Sequence, residues 1–382
     1  MNKKKSLINV SHVVGLSGLG GVQRNFSEYI EYASKIDDIN HTIYSIGEAE
    51  DEYTLSMQAR NIFRLKNFIK LIFDCLSDKN IVHFYNNLTS FKLFVFLFFL
   101  PVKKIIIHER GTCWNLPIKF KFIVKFNFSK SDFIIANSVA TKKMLEQKFD
   151  LDESKIHVIH NGISSKLINF RKFNRVHKNF DSIGFLGRLD SPKGLIDLLD
   201  SMKFLKNKRI RLFIAGDGPQ KKYLKKILKS NKKIYYLGRV SDLKSFFRKI
   251  DLLVVPSIRE PFGNVIIESA AHKVPVLASN VDGIPEIITK NSGYLIQPKD
   301  RNLRKIDQNE LTLPEFIYDP RSMKIVPPRR NSSYRLAIKI FNVLKDQASM
   351  KKVANIAYLR TLKYFNFHLH NRKLRNIYSS LM

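Results

Sequence analysis

Short runs of consecutive apolar residues, bounded by Gly, Pro or polar clusters, recur along the chain and alternate with longer segments free of helix breakers. The runs at 7–14, 41–46, 81–84, 105–108, 133–136 and the start of 156–163 read as strands, several of them apolar on both faces as in a parallel sheet. Helical segments fill the gaps, which is the alternation of a parallel α/β sheet. Residues 164–180 are polar and irregular, as a linker is, and a second series follows with strands at 183–186, 211–215, 234–237, 252–255 and 276–278. The pattern predicts two Rossmann-like domains facing a central cleft, over 1–170 and 171–355. Residues 301–331 are rich in Pro and Arg and poorly periodic, after which a helical pattern resumes to 381.

The strand at 252–255 leads into Pro256 and then Arg259-Glu260-Pro261-Phe262-Gly263-Asn264-Val265-Ile266-Ile267-Glu268. Gly263 supplies freedom for a turn, Asn264 is read as the N-cap of a helix through His272, and Glu268 as a residue of its first turn. A strand, a loop and a helix start is where α/β proteins hold phosphate: first-turn N–H groups are unpaired and the helix dipole favours an anion. Glu260 and Glu268 flank that site, and a carboxylate there can accept hydrogen bonds from sugar hydroxyls. Taken alone, a pair of glutamates is more often solvated surface than machinery.

Other loops after strands carry related chemistry. Gly187-Arg188-Leu189-Asp190-Ser191-Pro192-Lys193-Gly194 offers two cations suited to a diphosphate, against the plainer reading of two basic surface residues. Gly20 and Gly21, in the Gly-rich turn 15–24, let backbone approach a phosphate closely, or simply form a flexible turn. Gly216-Asp217-Gly218-Pro219 reads as architectural. His108 ends its strand at the edge where open α/β sheets bind ligands.

Composition narrows the classes. With 382 residues and 44% hydrophobic content the chain can build two cores. Cys75 and Cys113 lack CxxC spacing, which speaks against a zinc site or disulfide framework and fits a reducing cytoplasm. The net charge of +33, from 66 Lys and Arg against 33 Asp and Glu, raises nucleic acid or an anionic membrane as partners. No zinc-finger spacing, RNP-like motif or basic-leucine repeat supports nucleic acid. Residues 117–130 carry Lys119, Lys121, Lys125 and Lys130 interleaved with four Phe and no carboxylate, a pattern suited to a helix lying on an anionic membrane. Its lysines could equally be a solvated face. The apolar stretch 91–102 is too short to span a bilayer, and the basic N-terminus lacks the long apolar run of a signal peptide.

Taken together these segments resemble the retaining nucleotide-sugar glycosyltransferases of family four, with the two-domain GT-B architecture. The resemblance rests on Gly20-Gly21, His160-Asn161-Gly162-Ile163, Gly187-Arg188-Leu189 with Lys193-Gly194, Gly216-Asp217-Gly218-Pro219, Pro256-Ser257, the Glu260/Glu268 pair and Gly283-Ile284-Pro285-Glu286. It implies that Arg188 and Lys193 stabilise the departing diphosphate and that Glu268 holds the donor ribose. Glu260 and His108 would contact the transferred sugar as the catalytic pair. Gly20, Gly21, Gly263, Asn264 and Val265 would complete the donor site, with no metal and no other cofactor. It further implies a glycan or lipid-linked acceptor, a place on the cytoplasmic face of the cell membrane, a role in lipopolysaccharide, O-antigen or capsule synthesis, and a closing helix, 356–382, that crosses back to the first domain. The chain departs from the family at Lys273 and at Asp282, where glycine is usual, and over 301–331, where a helix is usual. The competing readings are a nucleotide-sugar epimerase on the same architecture, a basic nucleic-acid-binding protein, and a catalytically idle scaffold.

Overall fold

The computed structural model of the chain describes residues 8–17, 21–36, 38–50, 57–164, 166, 180–303 and 313–382. It divides into two compact units, the first Met1–Ser164 with Phe365–Met382, the second Ser165–Tyr364. The first holds strands β1 (Ile8–Val14), β2 (Ile39–Ser45), β3 (Arg60–Asn61), β4 (Asn80–Tyr85), β5 (Ile105–Glu109), β6 (Phe133–Ala136) and β7 (Ile156–Val158). All pair in parallel, in the order β3-β2-β1-β4-β5-β6-β7. Its helices are α1 (Gly21–Ile36), α2 (Leu65–Leu76), α3 (Phe91–Phe99), α4 (Lys121–Ser129) and α5 (Val139–Phe149). Every residue of β4 and β5 is buried, the polar Asn80, His83, His108 and Glu109 included, as expected of central strands covered on both faces.

The second unit repeats the plan. Strands β8 (Asp181–Leu186), β9 (Ile210–Ala215), β10 (Ile234–Tyr236), β11 (Leu252–Val255), β12 (Val276–Ser279) and β13 (Tyr294–Ile296) form a parallel sheet ordered β10-β9-β8-β11-β12-β13. Helices α6 (Leu195–Phe204), α7 (Lys221–Ser230), α8 (Leu243–Lys249), α9 (Asn264–Ala271), the short α10 (Ile284–Ile287), α11 (Ser333–Lys345) and α12 (Gln347–Tyr364) complete it. In each sheet the strand order reverses beside the first strand, between β1 and β4 and between β8 and β11, which are the switch points where such sheets bind ligands. The observed strands differ from the sequence reading by a residue or two at their ends, and β3 and β13 escaped it.

The last helix, α13 (Phe367–Ser380), packs in the first unit. Tyr378 bonds His83 Nδ1 at 2.7 Å, Tyr29 donates to Asn371 at 2.9 Å, and Leu374 and Ile377 join the core of Val10, Ile81 and Ile106. Within 301–331 the described part carries no helix, in keeping with its poorly periodic sequence. Residues 313–331 instead carry an antiparallel hairpin, β14 (Ile317–Asp319) and β15 (Lys324–Val326), and 304–312 lie outside the described residues. The hairpin is followed by a buried clamp. Arg330 pairs with Asp197 of α6 at 2.6 Å, and Asn331 donates to Ser279 Oγ at 2.7 Å and to the Pro256 carbonyl at 3.3 Å. Arg330→Ala is expected to destabilise the second unit by about 1–3 kcal/mol, because it removes the ion-pair partner of Asp197. Burial pushes that carboxyl up to about 7 even with the arginine present, so that it takes a proton when left alone. Urea unfolding of that unit checks this, and a midpoint equal to wild type would contradict it.

Two departures from glycine are absorbed by the backbone. Lys273 takes φ +54° after α9, with its own N–H bonded to the Ala270 carbonyl and that of Val274 to Ser269, the double bond of a left-handed helix stop. Its ammonium lies 4.5 Å from the Tyr358 ring centroid. Asp282 takes φ +44°, and its side chain does what a glycine could not, as the site shows.

Candidate active site

The loops leaving β8 and β11, on either side of the second switch point, are zipped together by backbone. The Pro192 carbonyl accepts from the N–H groups of Ile258 (2.9 Å) and Arg259 (3.2 Å). Gly194, at φ +68°, permits this approach: a Cβ there would lie 2.0 Å from the Pro256 oxygen. The Gly216–Gly218 turn supports the same loop from the other side, with the Leu189 N–H donating to the Asp217 carbonyl at 2.9 Å.

The zipped loops bring Lys193 and Glu260 together, Nζ to Oε2 at 2.7 Å. Glu260 is 7% exposed and accepts a further bond from Ser257 Oγ at 3.2 Å. Asp282 fixes its backbone, accepting from the Glu260 N–H at 2.8 Å and from the Tyr318 N–H at 2.7 Å. The hairpin therefore braces the glutamate loop through one buried carboxylate. Arg188 is more than half exposed and pairs with the buried Asp190 at 2.9 Å, while Asp190 Oδ1 also caps the turn at Ser191 N. Both cations are thus held by carboxylates yet keep donors to spare, since an ammonium has three and a guanidinium five.

The helix start differs in detail from the sequence reading. Gly263, at φ +109°, is the N-cap, and Asn264 is the first helical residue with no side-chain cap bond from the preceding position. A left-handed backbone favours glycine, and a Cβ there would press Ile266 at 2.9 Å. The N–H groups of Asn264 and Val265 belong to the first turn, which has no intrahelical acceptors. Glu268 lies in the second turn, not the first; it is 6% exposed, and its carbonyl accepts from His272 Nδ1 at 2.8 Å.

In the first unit Gly20 lies outside the described residues, and Gly21 opens α1. His108 is not presented at the surface. It is 1% exposed, its ring stacked 5.6 Å from His83 and 6.3 Å from His370 of α13, and both its ring nitrogens lack a hydrogen-bond partner. Burial, then the nearby charge of Arg110, holds it well below the usual histidine range. His108 thus stands at the carboxyl end of β5 with His370 of α13 packed beside it. Sequence reasoning missed Asp282, Asp190 and Ser257, and also the residue after Glu109, Arg110, whose only mark is a lone basic residue at a strand end. Among the described residues no group of three or more His, Cys, Asp or Glu side chains could hold a metal ion.

The segment 117–130 is a 3₁₀ turn, Ile118–Phe120, followed by α4. Phe122 is half exposed whereas Phe128, Ile123 and Val124 are buried, and Lys121 and Lys125 both reach Asp150, at 3.1 and 3.5 Å.

Two family models match the chain and together cover more than half of it: Glycosyltransferase Family 4 over residues 52–167 and Glycosyl transferases group 1 over residues 181–305. An uncharacterized glycosyltransferase of Methanocaldococcus jannaschii is 34% identical over 44% of this chain and 47% of its own length. An uncharacterized 41.2 kDa protein in the cps region of Klebsiella pneumoniae is 28% identical over 77% of this chain and 87% of its own. The capsular polysaccharide biosynthesis glycosyltransferase CapM of Staphylococcus aureus is 29% identical over 47% and 53%. The chain thus spans about half the length of the first and third of these relatives and most of the second. The crystal structure of Anabaena HepE in complex with UDP-glucose shares the fold, with a TM-score of 0.75 at 18% identity over 97% of this chain and 99% of that one. With two parallel sheets, paired loops at the second switch point and both family models in register with the two units, the chain belongs to the family-four glycosyltransferases of the GT-B superfamily.

Proposed function

We propose that the protein moves a sugar from a uridine nucleotide donor to a growing glycan or lipid-linked acceptor, with retention of anomeric configuration, in surface polysaccharide assembly. The observation that carries this reading is the Lys193–Glu260 pair at 2.7 Å, braced at a switch point beside the start of α9. Lys193 and Arg188 would neutralise the departing diphosphate, the first-turn N–H groups of α9 would receive a phosphate, and Glu268 would hold the ribose. The reading places leaving-group charge on side chains and asks for no metal or other cofactor. HepE with UDP-glucose supports the choice of donor, and CapM and the cps-region protein support capsule or O-antigen as the product class.

The test is turnover of the purified protein against a panel of nucleotide sugars, with the product anomer read by NMR. Absence of transfer, hydrolysis and thermal shift with every donor would overturn the reading; conversion of donor without any acceptor would point to an epimerase. Glu268→Gln should chiefly raise donor KM, since ribose contacts are present in ground and transition states alike. A loss confined to kcat would reverse that assignment.

The membrane reading extends beyond 117–130. Phe63, Leu65, Phe73, Phe91, Phe98 and Phe99, on and around α2 and α3, are each more than half exposed. Phe94 of α3 meets Phe126 of α4 at 4.7 Å between ring centroids, so the two helices present one face. Contiguous apolar surface of this kind marks an interaction site, and Lys66, Lys70, Lys92 and Lys119 surround it with exposed positive charge. An anionic bilayer at the cytoplasmic face fits both features, with apolar insertion by the phenylalanines and about 1 kcal/mol from each surface lysine. Among the described residues no helix is long and apolar enough to cross a membrane. Phe98→Ser with Phe99→Ser should weaken co-sedimentation with phosphatidylglycerol vesicles tenfold or more, leaving activity on a water-soluble acceptor intact. Unchanged vesicle binding would rule the face out.

A further inference from the structure

Arg110 follows β5 at the carboxyl edge of the first sheet, two strands from its switch point, and is 6% exposed. Its partners are neutral. Nη2 donates to Asn25 Oδ1 and to Asn161 Oδ1 (2.9 Å), and Nε has no hydrogen-bond partner. The main chain is fixed from two more strand ends: its N–H donates to Asn86 Oδ1 at 2.9 Å and its carbonyl accepts from Asn137 Nδ2 at 3.4 Å. Asn25 itself is tied to the turn after β7, donating to the Gly162 carbonyl at 2.6 Å.

Among the described residues no carboxylate pairs with this cation. The adjacent Glu109 is fully buried but is turned away: its Oε1 accepts the N–H groups of Gly111, Thr112 and Cys113, and its Oε2 the Thr112 hydroxyl. The rings nearest the guanidinium electrostatically are those of Tyr85, His83, His108 and His370, and burial keeps the histidines neutral. Burying an ion without a counter-ion costs several kcal/mol, and amide dipoles offset only part of it. Such a cost, at the sheet edge where α/β proteins bind ligands, is the mark of a functional site.

We infer that Arg110, steered by Asn25 and Asn161, anchors an oxyanion subsite in the first unit that takes a carboxylate or phosphate group of the acceptor. The identification of that ligand as the acceptor, and not the donor, rests on the transferase reading above, which places the donor diphosphate on Arg188 and Lys193 of the second unit. The subsite itself does not depend on that reading. An acceptor bearing a phosphate or an acidic sugar would supply the missing charge, and a neutral acceptor would leave it unmet.

The test is calorimetric titration of the full-length protein with inorganic phosphate and, separately, with glucuronate, at low ionic strength and with UDP saturating the donor site. Saturable binding of either probe is expected. Phosphate would indicate a phosphorylated acceptor and glucuronate an acidic sugar. Arg110→Gln should weaken that binding tenfold or more while UDP affinity stays at the wild-type value. Arg110→Lys, which keeps the charge, should retain part of it, and decides the matter should Arg110→Gln fail to fold by circular dichroism. The inference is overturned if the wild type binds neither probe under UDP, if Arg110→Gln binds them as well as wild type, if a folded Arg110→Lys loses all binding, or if Arg110→Gln weakens UDP instead. Failure to bind UDP at all would sink the transferase reading separately, leaving the phosphate and glucuronate titrations to judge the subsite.

Discussion

Lys193→Ala should lower kcat by about 10²-fold or more, equivalent to about 3 kcal/mol of lost transition-state stabilisation. The expectation follows from position and from pairing. Lys193 sits on a turn fixed by Asp190 and Gly194, at the switch point, and one of its three donors engages Glu260 at 2.7 Å. The remaining donors are free of that bond and preorganised to meet charge that grows on a departing diphosphate, so the loss should fall on kcat more than on KM. The variant also strands Glu260, 7% exposed, with Ser257 as its remaining side-chain hydrogen-bond donor. Glu260→Gln, which keeps shape and removes charge, is therefore the companion, and it too should chiefly reduce kcat. Donor-saturation kinetics with circular dichroism decides: normal kcat in Lys193→Ala, or a change in KM alone, would remove the leaving-group role.

The parts of this site that were legible in the sequence are those set by buried parallel strands. An apolar run flanked by Gly and Pro gives the strand, and the loop after it inherits a position at the sheet's carboxyl edge, so Arg188, Lys193 and Glu260 could be placed before any coordinates. What the runs do not encode is which loop residues meet. The partner of Glu260's backbone, Asp282, lies on a loop after a different strand, and it stands where glycine was expected because the backbone accepts a left-handed turn while the carboxylate ties two loops. Lys273 is the same lesson at a helix end, with Tyr358 across from it. The hairpin of 317–326 has strands of three residues, too short for alternation to show. His108 lies at a strand end as its sequence position indicates, but the helix packed against it comes from the far end of the chain, and no local pattern reports that. Arg110 sat unnoticed beside it, since a buried cation looks like any other arginine in so basic a sequence.

Mild acid should unfold the first unit before the second. His12, His83 and His108 are held well below the usual histidine range, and His370 is pulled down to about 4, in every case chiefly by burial. Neighbouring positive charge adds to this, from Arg110 for three of them and from His41 for His12. In the unfolded chain the same side chains titrate near 6.5. Below that pH the unfolded state binds more protons than the folded one, so stability present in full above about 6.5 is lost as pH falls toward the folded values. Each such histidine contributes a slope of up to about 1.4 kcal/mol per pH unit, and four together reach up to about 5.5 kcal/mol per unit, comparable with the whole stability of a domain. The window between pH 6.5 and 5 separates this from ordinary acid denaturation, because most carboxylates are still ionised there. Trp114, the chain's single tryptophan, is buried in the first unit, so its fluorescence reports that unit alone. Urea midpoints followed at Trp114 should fall steeply from pH 7 to 5, and His370→Gln should flatten the slope by about one proton's worth. A midpoint that does not move across that range would mean the buried histidines accept protons as readily folded as unfolded, and that the enclosed cluster around His83 and His108 is open to water.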